Sequence, residues 1–274
     1  MSITSILLHL TQDPRNDART ETALNLAASH NARLIALYTI MPPQLPAYVM
    51  GYVPPELLER YSKEAADAAN EAKSVFQPKA DAAGVAFEWR QAEGMPHDIV
   101  SFHAHYADMV VVGQTAPDKE RVAGTEGLPD ELVLSAGRPI LVTPYIGDYS
   151  KVGKSVLVAW NGTREAARAV HDALPFLQQA SEVTIFGVDM PSAQHIPGAD
   201  IATHLARHGI KPRVEYTVAP DIPIGDALLD AVSDYGCDML VMGAYGHSRI
   251  REIALGGATR HILQHMTVPV LMSH

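Results

Sequence analysis

The sequence predicts a doubly wound α/β fold present twice in tandem, and three observations carry that expectation. Short apolar runs alternate with helical patterns along all 274 residues. Runs such as "MLVMG" lack the in–out alternation of a half-exposed sheet, so they suit parallel strands buried on both faces. Segments also recur at a fixed distance: "ADMVVVGQT" at 107–115 matches "CDMLVMGAY" at 237–245, and at the same shift "RPILVTP" (138–144) falls on "VPVLMSH" (268–274). Asp108, Met109, Gly113 and Pro139 thereby coincide with Asp238, Met239, Gly243 and Pro269.

In chain order, the first half predicts strands near 4–10, 33–40, 85–91, 108–113 and 139–143. A long helix near 55–83 follows the proline-rich stretch "MPPQLPAYVMGYVPP", which either packs on the fold or covers it as a lid, or roofs a space for a different ligand. "KEAADAANEAK" within that helix reads as a solvated face. The polar, glycine-bearing "YIGDYSKVGK" (145–154) is the expected linker, so the domains are placed at 1–147 and 153–274. The second half predicts strands near 155–160, 182–188, 213–218, 238–243 and 268–272, with helices near 164–179, 198–208, 224–235 and 257–266. Strand–helix alternation implies right-handed crossovers and a five-stranded sheet in each half.

Composition narrows the partners. Twenty-one basic residues against 31 acidic ones give a net charge of −10, which argues against nucleic acid and against anionic membrane. No run approaches the ~20 apolar residues of a membrane span. The lone Cys237 precedes an apolar run and reads as a buried thiol, and the absence of a disulfide framework suits a cytoplasmic location.

The chemistry concentrates in "VMGAYGHSRIREIALGGATRHILQHMTVPVLM" (241–272). Ligands of open α/β sheets bind beyond the carboxyl ends of the strands, where strand order reverses. Gly243 closes a strand at that edge, Gly246 follows three residues on, and Gly256-Gly257 open the last helix. Glycine lets backbone approach a ligand closely, and a helix N-terminus offers unpaired N–H groups to an anion. A turn or helix-entry role explains any one of these glycines. Together they predict a phosphate cradle, with Gly243 and Gly246 on one side and Gly257, Ala258 and Thr259 on the other. His247, Ser248, Arg249, Arg251 and Arg260 are nearby donors or charges.

These residues resemble the universal stress proteins, whose signature G-x2-G-x9-G-[S/T] is matched by Gly243, Gly246 and Gly256, with "VPVLM" after the helix. The likeness covers the chain as two tandem Rossmann-like domains. It implies strand order 3-2-1-4-5 and ATP or AMP, with Mg2+ as a companion ion, at this edge. By position the base and ribose would meet Ala159, Trp160 and Asn161, then Val188 and Met242, and the phosphates would meet Gly243, Gly246, Gly256, Gly257 and Ala258. Two residues depart from the pattern. Gly257 stands where the family has Ser or Thr, leaving Thr259 as the nearest hydroxyl, and Asn161 stands where an acid is common. In the first half only Gly113 and Gly127 survive; Ala116 and Glu126 replace the other glycines, so nucleotide binding is expected to be lost there.

No G-x4-G-K-[S/T] loop and no G-x-S-x-G elbow occurs, and 244–256 has no lysine, so dedicated catalysis is not expected. Thirteen histidines include the pairs His103/His105, His204/His208 and His261/His265, but zinc would need further converging ligands. The resemblance implies a cytoplasmic stress-response protein that binds an adenine nucleotide in its second half and acts by regulation. It would have a regulatory protein partner, and "ILVTP" and "VLMSH" would join the halves as a pseudo-dimer that could pair again into a homodimer. The alternatives are a protein-interaction module with a vestigial site, and a slow ATPase.

Overall fold

The apolar runs become the strands of one continuous sheet. The computed structural model describes residues 2–43, 52–116, 122–149, 151–188, 198–218, 221–246 and 257–274. In the first half β1 (Ser5–Leu10), β2 (Arg33–Ile40), β3 (Phe87–Glu93), β4 (Met109–Gly113) and β5 (Ile140–Thr143) alternate with α1 (Asn16–His30), α2 (Pro55–Ala82), α3 (Pro96–Ala104) and α4 (Leu128–Ser135). In the second, β6 (Ser155–Ala159), β7 (Glu182–Val188), β8 (Arg213–Thr217), β9 (Met239–Gly243) and β10 (Val270–Ser273) alternate with α5 (Arg164–Leu177), α6 (Ala199–Arg207), α7 (Ile224–Asp234) and α8 (Ala258–His265). The predicted strands lie within two residues of these bounds. Helix α1 is additional to the sequence reading, as are the bounds of α3 and α4.

Strand order across the sheet is β3-β2-β1-β4-β5-β10-β9-β6-β7-β8, so each half runs 3-2-1-4-5 and the two meet edge to edge. Within each half all neighbours are parallel. The junction is antiparallel, with Val270 opposite Val142, Leu271 opposite Leu141 and Met272 opposite Ile140. The segments "ILVTP" and "VLMSH" therefore pair as expected. A parallel strand buried on both faces sends alternate side chains to opposite cores. Ile6, Leu8, Val156 and Val158 face one core, which also holds residues of α1, α2, α5 and α6. Leu7 and Leu157 face the other, with residues of α3, α4, α7 and α8. Each such fully buried Leu or Ile contributes about 1.5–3 kcal/mol relative to leaving it exposed.

The repeated aspartates are structural. Asp108 Oδ2 accepts from the N–H groups of Thr4 and Ser5 at 2.8 and 2.9 Å, just where β1 begins. Asp238 Oδ1 accepts from Gly153, Lys154 and Ser155 at 2.9, 3.0 and 3.2 Å, just where β6 begins. Each carboxylate satisfies strand-entry donors that the sheet leaves unpaired. Burial opposes the charge of Asp108, but donors on Thr4 and Ser5 outweigh it and hold its carboxyl below the usual range.

One buried titratable group predicts a pH effect. His9, on β1, is 1% exposed and its Nε2 lies 2.9 Å from Thr39 Oγ1. Burial, then the nearby Arg19 charge, lower its pKa from 6.5 to about 3. Above the unfolded value both states are neutral at this group, and it contributes nothing to the pH dependence. Below it the unfolded chain gains a proton that the folded one refuses until about pH 3, so stability falls as pH falls through that window. Urea unfolding should lose about 1 kcal/mol per pH unit below 6 from this residue, and His9→Gln should flatten that slope. An unchanged slope in the variant would refute the assignment.

Candidate functional site

The switch point of the second half lies between β6 and β9, whose neighbours on either side are β7 and β10. Ala159 ends β6 opposite Phe186, and the Trp160 N–H donates to the Phe186 carbonyl at 2.9 Å, so the chain leaves the sheet only at Asn161. Ala159 and Val188 are half-buried against the α7/α8 core, with Met242 buried in it, while Trp160 is half-buried against the α5/α6 core. Asn161 is exposed. Its Oδ1 accepts from Thr163 N–H and Oγ1 at 3.2 and 2.9 Å, and Thr163 caps α5 by accepting from Ala166 N–H at 3.3 Å. The carbonyl oxygen of Asn161 is thus occupied by the turn.

Gly243 is glycine for a reason the sequence did not show. A Cβ there would stand 2.5 Å from Ala166 N and 2.8 Å from the Glu165 carbonyl oxygen, because the first turn of α5 crosses directly over the end of β9. Close packing of helix on strand explains this residue without any ligand. Gly246 is exposed, and a Cβ on it would lie 3.2 Å from Glu165 Oε2 and 3.6 Å from Thr163 Oγ1. Glu165 is an acid the sequence reading missed. It is buried and bonded to Arg164; burial opposes its charge, but hydrogen bonds led by Arg164 hold its carboxyl below the usual range. A carboxylate therefore borders the glycine loop.

The helix entry supplies the opposite polarity. Gly257 caps α8 without a side-chain bond, and the first amide to find a partner is His261, which donates to the Gly257 carbonyl at 3.1 Å. The N–H groups of Ala258, Thr259 and Arg260 meet no acceptor among the described residues, and no acid stands in that first turn. Donors left without an acceptor among the described residues, together with the positive end of the helix dipole, are the features that attract an anion to a helix entry. Thr259 is buried and its Oγ1 accepts from Tyr245 N–H at 3.1 Å, so the nearest hydroxyl serves the fold first. Tyr245, between the first two glycines, takes a left-handed φ of 55° and its hydroxyl donates to Asp130 Oδ1 at 2.6 Å. His247, Arg249 and Gly256 lie outside the described residues, as do Ser248 and Arg251.

In the first half the end of β4 is filled by a side chain, while about 330 Å³ stays open beyond β1 and β2, lined by Thr11, Thr39, Ile40 and Tyr61. Arg19 is 3% exposed and its guanidinium lies over Gly113, the counterpart of Gly243, with Cζ 3.3 Å from where a Cβ would be. Nε donates to the His9 carbonyl at 3.1 Å, and Nη2 donates to Thr11 Oγ1 and Asp13 Oδ2, both at 2.7 Å. Only about 20 Å³ of space remains among His9, Arg19, Gly113 and Leu128. The helix entry is dismantled as well. Leu128 N–H already donates to the Thr125 carbonyl at 3.2 Å, Pro129 has no N–H, and Asp130 and Glu131 bring negative charge into the first turn of α4. Glu126, singled out in the sequence, is exposed.

The histidine pairs are local contacts. His103 Nδ1 lies 3.0 Å from Arg90 Nη1, with His105 one step past the end of α3. The rings of His204 and His208 meet edge-on at 4.9 Å, and His261 stacks on His265 at 4.4 Å while standing 2.7 Å from Asp226. Among the described residues no helix is long and apolar enough to cross a membrane.

Comparison with known proteins follows this geometry. The sequence profile of the universal stress protein family matches residues 153–274. The universal stress protein Slr1230 of Synechocystis sp. is 28% identical over 173 residues, which is 60% of this chain; the chain spans 57% of that relative's length. Among solved structures, a universal stress protein from Archaeoglobus fulgidus superposes with a TM-score of 0.80 at 17% identity, covering 99% of this chain and 96% of that one. A putative universal stress protein from Pseudomonas aeruginosa reaches 0.61 at 15% identity, covering 99% and 93%. At such identities the likeness speaks for the fold alone, and the fold agrees over the whole chain. Residues 153–274 thus match the universal stress protein family, and the whole chain shares the fold of its solved members.

Proposed function

We propose that the second half binds an adenine nucleotide, ATP or AMP, at the carboxyl edge of β6, β7 and β9, and that the protein acts by regulation in the cytoplasmic stress response. The observation that carries this reading is the contrast between the two helix entries. Among the described residues α8 offers three amides without an acceptor and no acid, whereas at the α4 entry the Leu128 amide is paired, Pro129 has none, and Asp130 and Glu131 add two carboxylates. The base and ribose would rest on Ala159, Trp160, Val188 and Met242, with the Asn161 amide on the sugar. The phosphates would meet Gly246, Gly257 and the amides of Ala258 and Thr259, with His247, Arg249 and Gly256 completing the loop. Glu165, beside Gly246, fits a phosphate tail only if a cation such as Mg2+ lies between them or the tail is short, which favours AMP or magnesium-bound ATP.

In this reading the halves at 1–147 and 153–274 are a tandem repeat whose first member has given up its site. Isothermal titration with AMP and with magnesium-ATP tests it. One saturable site per chain is expected, and Gly246→Glu, which sets a second carboxylate beside Glu165, should weaken binding by about a hundredfold. No heat at millimolar nucleotide would overturn the proposal. A second reading, a protein-interaction module with a vestigial site, draws on Glu165 and on the engaged Thr259 hydroxyl. It predicts no nucleotide binding, with cellular function kept in Gly246→Glu. Turnover of ATP that vanishes in that variant would instead mark a slow ATPase.

A further inference from the structure

A cavity of about 950 Å³ opens between the halves, where the connection from β5 to β6 passes α8. Its walls are fixed from both sides. The Gln114 side chain donates to the carbonyls of Leu263 and Gln264 at 2.9 and 3.1 Å, and its Oε1 accepts from Tyr145 N–H at 2.8 Å. The Tyr149 hydroxyl lies 2.7 Å from the Thr267 carbonyl oxygen, and Tyr245 is tied to Asp130 as described above. Three tyrosines, Tyr145, Tyr149 and Tyr245, thus line a preformed space, with Ile146 and Met266 adding apolar surface. Ile146 is 77% exposed, an aliphatic side chain left uncovered at the cavity's edge. Arg260, also in the lining, is exposed and forms no ion pair among the described residues.

We infer that this cleft is a second small-molecule site, taking a planar aromatic acid with a single negative charge. Such a ligand places its rings among the tyrosines and its carboxylate on Arg260, whose planar fork of donors matches a carboxylate. The aromatic lining and the volume are those of a small-molecule pocket. The charge is limited to one because Asp130 shares the lining and repels a second, which excludes a polyphosphate. None of the strand-end residues Ala159, Trp160, Asn161 or Val188 lines the cleft, so it is separate from the base and ribose end of the nucleotide reading, although Arg260 borders both.

Titration calorimetry of the full chain with 2-naphthoate, and with the neutral 2-naphthylmethanol, tests it. Naphthoate should bind at one saturable site per chain, about tenfold or more tighter than the alcohol. Arg260→Gln should bring naphthoate down to the alcohol's affinity. Ile146→Glu, at a side chain the fold does not bury, should weaken naphthoate by about tenfold while leaving the nucleotide titration unchanged. Absence of saturable binding to the wild-type protein at millimolar naphthoate would overturn the inference. So would an affinity unaltered in both variants, which marks adventitious binding elsewhere, or full displacement of naphthoate by ATP, which places it at the strand edge instead.

Discussion

Replacing Arg19 by methionine should lower the free energy of unfolding by about 3–5 kcal/mol, the cost of breaking a buried ion pair from one side. The guanidinium is the counter-charge of Asp13, whose side chain is itself only 13% exposed. Burial opposes ionisation of Asp13, and the charge and hydrogen bonds of Arg19 are what chiefly hold its carboxyl below the usual range. The substitution leaves that carboxylate uncompensated, together with the His9 carbonyl that Nε now satisfies. Adding Asp13→Asn should recover a large part of the loss, because the orphaned charge goes with it. Urea unfolding of the two single variants and the double variant measures this. A loss below about 1 kcal/mol in Arg19→Met would show that the network is solvated and not a plug.

Gly243→Ala should cost about 3 kcal/mol, at the top of the range for forcing one methyl group into a packed site. The atoms that would have to move are the backbone of Glu165 and Ala166 in the first turn of α5, which carries the Thr163 cap and packs on β9. Gly113→Ala in the first half meets the end of the Arg19 side chain, so its cost should be smaller. A comparison of the two midpoints in urea distinguishes packing from ligand contact as the reason for Gly243. If Gly243→Ala unfolds like the wild type yet loses nucleotide binding, the packing explanation fails.

Strand positions were legible because a sheet buried on both faces demands unbroken apolar runs, and "MLVMG" or "RLIALYTI" admits little else. Strand order and the junction of "ILVTP" with "VLMSH" came from the family likeness, and the sheet has both. Helix α1 was not read, because "NDARTETALNLAASH" fills its buried face with Thr20, Thr22, Ala23 and Ala27 and shows no strong apolar stripe. The loop 247–256 holds the sequence expectations at His247, Arg249 and Gly256, outside the described residues.

The site was legible in its helix entry and not in its neighbours. Gly257 and the residues after it announced free amides, and those of Ala258, Thr259 and Arg260 meet no acceptor among the described residues. The proximity of Glu165 to Gly246 joins positions about eighty residues apart and carries no local pattern. The filling of the β4 end by Arg19 was equally silent. Loss of nucleotide binding in the first half is expected from Ala116 and Glu126, and the structure adds a buried guanidinium over Gly113 and a proline in the first turn of α4. Both come from side chains reaching across the fold, which spacing along the chain does not encode.

The amide resonances of Ala258, Thr259 and Arg260, followed by nitrogen–proton correlation spectra during an AMP titration, test the central claim most directly. They should shift together and saturate at one nucleotide per chain, while the amides of Leu128 and Asp130 stay still. Unmoved resonances at all three positions, in a chain shown to be folded and at millimolar AMP, would contradict the account.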